Sequence, residues 1–158
     1  MTMEIAIERA ECATPEIVAL LEELNRALDV GYAPDQQHAL SLEQLFQPHI
    51  RFFVVRLGGE VVACGGIGLY DGYAELKRMY ARESVRGRGV ATAVLATLEA
   101  EAQAAGLTVV RIETGDRQDA AMRFYAREGY RTCPAFGPYA EMPPNAIATS
   151  VFYEKRLA

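Results

Sequence analysis

The chain has 158 residues, of which 51% are hydrophobic and 23% charged, with a formal net charge of −5 and a pI near 5.1. That length and balance predict one globular domain, 1–158, with enough apolar side chains for a full core. The acidic balance argues against nucleic acid or an anionic membrane surface as the main partner, and no apolar run approaches the ~20 residues that span a bilayer.

Met1-Thr2-Met3-Glu4 lacks the basic-then-apolar order of a secretory signal, so the expected location is cytoplasmic. Ile5 and Ile7 alternate with polar neighbours and predict a short strand. Thr14-Pro15-Glu16 is a helix start, and Ile17, Leu20, Leu21, Leu24 and Leu28 mark one apolar face. A loop follows from Asp29 to His38, then a second short helix over Ser41 to Phe46. Phe52 to Arg56 and Val61 to Ile67 flank Gly58-Gly59 as a hairpin, and a strand from Tyr73 to Arg82 follows the turn Asp71-Gly72. A helix is expected from Gly89 to Ala105, stopped by Gly106. Leu107 to Ile112 is a β-branched strand leading to a turn at Thr114-Gly115. Asp116 is expected to cap a further helix that ends at Gly129. A Pro-rich loop, Pro134 to Asn145, precedes a last strand from Thr149 to Lys155. Hairpin strands followed by alternating strands and helices give an α+β fold with a mixed sheet.

Cys12, Cys64 and Cys133 are few, odd in number and far apart, which fits a reducing compartment and gives no disulfide framework or zinc site. His38 and His49 are not spaced as a ligand pair, so no metal is expected.

Arg86-Gly87-Arg88-Gly89-Val90-Ala91 is the most informative stretch. A glycine-rich turn between a strand and a helix amino terminus aims several backbone N–H groups in one direction, and the helix dipole adds positive charge there. The stretch is not a Walker A loop, because Gly89 is followed by Val90-Ala91 rather than Lys and a hydroxyl residue. It is not a dinucleotide fingerprint either, because Thr92 stands where a third glycine is needed. Among the nearby arginines 78, 82, 86 and 88, Arg86 and Arg88 sit inside the turn and suit phosphate charge.

The stretch matches Arg/Gln-x-x-Gly-x-Gly/Ala, and the chain resembles the GNAT superfamily of acyl-CoA N-acyltransferases. Glu75 to Tyr80 is similar to that family's fourth strand, and Ala121 to Tyr130 to its Ala-x-x-x-Tyr-x-x-x-Gly-Phe/Tyr signature. The likeness is strong over about residues 51–133 and weak at both ends. It implies a mixed, mostly antiparallel sheet with helices on both faces and splayed fourth and fifth strands. It also implies acetyl-CoA as cofactor and direct N-acetylation of a small-molecule or peptide amine, with dimers frequent on the fold.

Carried onto this chain, the resemblance implies cofactor binding by Met79, Tyr80, Ala81, Arg86, Gly87, Arg88, Gly89, Val90, Ala91, Gln118, Ala121 and Tyr125. Tyr125 stands at the position of the proton donor to the departing thiolate, with the alternative that it only packs its helix. Glu75 is the first candidate base, with Asp71, Glu113 or a water chain with no dedicated residue in reserve; the other reading makes Glu75 and Lys77 an ion pair on a solvated sheet face. Tyr32, Phe136 and Tyr139 are the candidates for the acceptor site, in loops that also hold Asp35, His38 and Glu141. Gln118 replaces the family's usual asparagine, Ala81 its valine and Glu83 a frequent proline. A non-enzymatic acyl-CoA-binding or sensing module on the same fold is the alternative function.

Overall fold

A computed structural model describes residues 4–158; the amino-terminal signal reading at residues 1–3 lies outside them. The described chain folds as β1 (Ile5–Arg9), α1 (Pro15–Asp29), α2 (Leu42–Leu45), β2 (Ile50–Leu57), β3 (Glu60–Leu69), β4 (Ala74–Ala81), α3 (Val90–Ala104), β5 (Val109–Gly115), α4 (Asp119–Arg127), β6 (Arg131–Thr132), α5 (Pro144–Ile147) and β7 (Ser150–Arg156). The strands form one seven-stranded sheet in the order β1-β2-β3-β4-β5-β7-β6. Every pairing is antiparallel except β4 with β5.

Helices cover both faces. Thr14 caps α1 by accepting from the Ile17 amide, and Pro15 occupies its first turn, where the missing N–H costs nothing. Its apolar face packs with Leu45 of α2 against Phe52, Val54 and Cys64. On the other face Val90, Val94, Leu95 and Leu98 of α3 pack against Phe53, Val55, Ile67 and Leu76. Strands β2 and β3 are therefore buried on both sides and read as continuous apolar runs rather than alternating ones. Gly65 lets α3 approach the sheet closely, since a Cβ there would stand 2.7 Å from Val94 Cγ1 and 2.5 Å from Met79 Sδ.

Strand β4 carries a bulge. Between the pairs Gly66↔Lys77 and Cys64↔Tyr80, β4 has one more residue than β3. Arg78 falls in this stretch with φ +54, the one non-glycine left-handed residue among those described.

Three boundaries differ from the sequence reading. β5 runs on through Gly115, which pairs with Ser150 instead of turning. Gly115 is small because the Tyr32 ring lies where its Cβ would be. Asp116 does not cap α4; its amide bonds to the Thr149 carbonyl, and Gln118 stands at the cap. The Pro-rich segment holds a 3-10 turn at Gly137–Glu141 and the short helix α5, and is preceded by the two-residue β6. These pieces are too short to show a period and exist through pairing with β7 and packing on Phe152.

Gly65→Ala should destabilise the fold by about 1–3 kcal/mol through overpacking between α3 and β4. Urea denaturation of the two proteins measures it as a lower midpoint at unchanged slope.

Candidate active site

The site follows from how little β4 and β5 share. They pair only at Ala74↔Val110 and Glu75↔Arg111, and then diverge. A cleft of about 590 Å³ runs along the opening. Met79, Tyr80 and Ala81 of β4 line it on one side, Gln118, Ala121 and Tyr125 on the other, and Arg86, Gly87, Gly89, Val90 and Ala91 at one end.

That end is the glycine-rich turn. Gly87 and Gly89 have φ +80 and +77, a conformation that other residues adopt only under strain, and a Cβ on either would meet no protein atom within 4 Å. Helix α3 begins at Val90 with no side-chain cap and no acidic residue in its first turn. Its first amides are thus the ones that lack an intrahelical acceptor, and they open on the cleft. Arg86 is braced by its Nε donating to the Ala81 carbonyl at 3.0 Å. Arg88 is exposed and does not line the cleft. The four arginines do not form one patch: Arg82 is ion-paired with Glu23 and Glu60, and Arg78 lines a different pocket.

That second pocket, about 150 Å³, lies against α1 and the segment 36–40. It meets the cleft at Leu24, Leu28, Met79, Gln118, Ala121 and Tyr125, which line both. Tyr32, Glu75, Glu113 and Tyr139 also face the pocket. Glu75 is the one charged residue classed with the core among those described, at 3% exposure. Its Oε2 receives the Tyr139 hydroxyl at 2.6 Å and Lys77 Nζ at 2.8 Å. The Glu75–Lys77 ion pair is thus real but buried, not on a solvated face. Glu113 accepts from Ser150 Oγ at 2.6 Å, and burial raises its carboxyl above the usual range, with Glu75 adding to the rise and His38 and Lys77 opposing it. Burial likewise raises the phenol of Tyr125, which is 3% exposed. Tyr139 is raised by burial and by the charge of Glu75.

The structure therefore gathers Tyr125, Glu75, Tyr32 and Tyr139, and brings Gln118 and Ala121 beside them. Phe136 lines neither opening; it packs with Tyr73, Tyr139 and Phe152 in a separate aromatic cluster. Asp71 is exposed and outside the lining, as are Asp35, which accepts from Asn145, and Glu141. His38 lines the pocket, as its place in the acceptor loop led one to expect, and Lys77 and Arg78 line it too, where sequence reasoning did not place them. Lys77 had a signal, its two-residue spacing from Glu75 on one strand face. Arg78 had none, because a bulge is needed to turn it. Among the described residues no group of three metal-ligating side chains occurs, and no helix is long and apolar enough to cross a membrane.

Residues 17–130 match the model of the acetyltransferase (GNAT) family. The chain is 37% identical to the IAA acetyltransferase of Azospirillum brasilense, over 97% of this chain and 98% of that protein. It is 32% identical to the uncharacterised N-acetyltransferase YsnE of Bacillus subtilis, over 90% of this chain and 93% of the relative. A Klebsiella pneumoniae crystal structure, assigned to the acyl-CoA N-acyltransferases, superposes with a TM-score of 0.82 at 34% identity, covering 98% of both chains.

Tyr139→Phe removes a buried hydrogen bond to a charged acceptor and should lower stability by about 1–3 kcal/mol. Thermal unfolding at neutral pH reads the loss as a lower Tm.

Proposed function

The chain belongs to the GNAT acetyltransferase family, and on that premise we propose that it moves an acetyl group from acetyl-CoA to a primary amine by direct attack in a ternary complex. The observation that carries this reading is the meeting of two openings on Met79, Gln118, Ala121 and Tyr125: a long cleft ending in a phosphate-suited turn, and a small pocket lined by carboxylates.

The residues fit coenzyme A. The turn 86–91 and the first amides of α3 would hold its diphosphate, and the open edge of β4 from Met79 to Ala81 would take the pantetheine amides as an added strand. Bound there, acetyl-CoA supplies an activated acyl group. A backbone N–H near Met79 stabilises negative charge developing on the acyl oxygen. Tyr125, a neutral phenol at working pH, gives its proton to the sulfur as it leaves.

An amine arrives as an ammonium and must lose a proton before it attacks. We assign that proton to Glu113 rather than Glu75. Glu75 Oε2 already holds Lys77 and Tyr139, whereas Glu113 has only the Ser150 hydroxyl and a carboxyl made more basic by burial. Glu75 then serves to fix Lys77 and Tyr139 around the acceptor. Direct attack is supported by the cysteines. Burial pushes the Cys64 thiol up to about 12, so it is not a thiolate at neutral pH, and Cys133 lines neither opening.

Thiol release from acetyl-CoA over a panel of amines tests the reading; acetyl-CoA binding with no release for any amine overturns it in favour of a binding module. Tyr125→Phe should lower kcat by about 10²–10⁴-fold while calorimetry shows coenzyme A affinity retained. Glu113 takes a proton only when ionised, so kcat/KM should rise with pH through a carboxyl pKa displaced upward and level off above it. Glu113→Gln should remove that rise and lower the plateau by about 10²-fold; an unchanged pH profile takes Glu113 out of the mechanism.

A further inference from the structure

The small pocket holds two carboxylates and two permanent cations, and only one of each is matched. Lys77 and Glu75 close on each other at 2.8 Å. Arg78 and Glu113 enter no ion pair among the described residues.

Arg78 is held in place at some cost. Its backbone lies at φ +54 in the β4 bulge, a strained conformation for a residue with a side chain. Its Nη2 donates to Asn25 Oδ1 of α1 at 2.5 Å, but Nε and Nη1 are buried without a hydrogen-bond partner among the described residues. Arg51 Nε and Thr149 Oγ1 are also unpartnered, yet neither residue lines an opening, whereas Arg78 lines the small pocket where it adjoins a third opening that Asn25, Gln37 and Leu40 also line. Arg78 does not line the larger cleft, so coenzyme A phosphate is not its match. The guanidinium charge has no carboxylate beside it, and an oxyanion in the pocket would supply the missing partner. Across the same pocket Glu113 presents a carboxylate with no cation of its own.

We infer that the acceptor is a compact zwitterion, a primary amine carrying its own carboxylate or phosphonate, with the anion seated on Arg78 and the ammonium turned to Glu113. The inference rests on the acyl-transfer reading above. At about 150 Å³ the pocket is much smaller than the cleft, which suits a compact acceptor. The two charges of such an acceptor answer the two unmatched charges of the pocket, and neither partner is left buried alone. A polyamine or an alkylamine would answer Glu113 and leave Arg78 unpaired.

The test uses matched acceptors: amino acids and aminoalkylphosphonates, their neutral esters, and alkylamines of equal length, with thiol release from acetyl-CoA as the readout. Wild-type protein should favour the acids over their esters by at least about tenfold in kcat/KM, one unmade charged hydrogen bond or more. The carboxylate and phosphonate arms tell the two anions apart. Arg78→Gln should shrink the acid-over-ester ratio by about ten- to a hundredfold, chiefly through KM for the acid, and Arg78→Lys, which keeps the charge but not the guanidinium's donors, should fall between. Calorimetric binding of acetyl-CoA to each variant reports that it is folded. Esters turned over as well as acids, or an Arg78→Gln that slows both alike, overturns this inference and leaves acyl transfer standing. If Arg78→Gln does not fold, the wild-type comparison decides. Absence of release with every amine overturns both.

Discussion

The parting of β4 from β5 after two residue pairs is the constraint on which the rest depends. A sheet interior normally satisfies its own backbone groups, and an open edge in the middle of one is costly unless something else pairs with it. Here α3 and α4 pack on one face and α1 on the other, and residues of all three helices line the opening. The two small glycines in the α3 turn and the bulge in β4 both sit at its margins. The cleft, the pocket and their common wall at Met79 and Tyr125 all follow from that geometry.

The electrostatics divide along the same line. The long cleft is bounded by backbone donors and by Arg86, with no carboxylate in its lining, as a polyanion would require. The small pocket is mixed, with Glu75, Glu113, Lys77 and Arg78 confined under α1. Charges so enclosed are little screened by salt, and each needs a partner. Lys77, Glu75 and Tyr139 satisfy one another as a rigid group. Arg78 and Glu113 are what the fold leaves over for a ligand, and in the proposed reaction they hold the acceptor while Tyr125 finishes the transfer.

Most of the fold was legible because its elements carry local signals. The Thr14-Pro15 start, the Gly58-Gly59 hairpin and the Gly106 stop are each local chemistry that tertiary contacts did not override. The failures fell where local signals are short or double-edged. Gly115 reads as a turn in isolation, but it is a strand residue that makes room for Tyr32. Asp116 reads as a cap, but its backbone is spent on Thr149. Of the candidate site, the turn and Tyr125 were readable from motif spacing. Phe136 was not separable from Tyr139, because both are aromatic residues in one loop and one cluster, and only packing brings Tyr139 to the pocket wall as well.

The sequence alone thus determined the order of elements, the phosphate-suited turn and the family, since these rest on spacing along the chain. Only the tertiary structure decided which charges are matched. The burial of Glu75 against Lys77, the upward shift at Glu113 and the unpaired guanidinium of Arg78 arise from contacts between strands and helices far apart in sequence. Desolvation belongs to the packed interior, and no pattern of neighbours along the chain can state it.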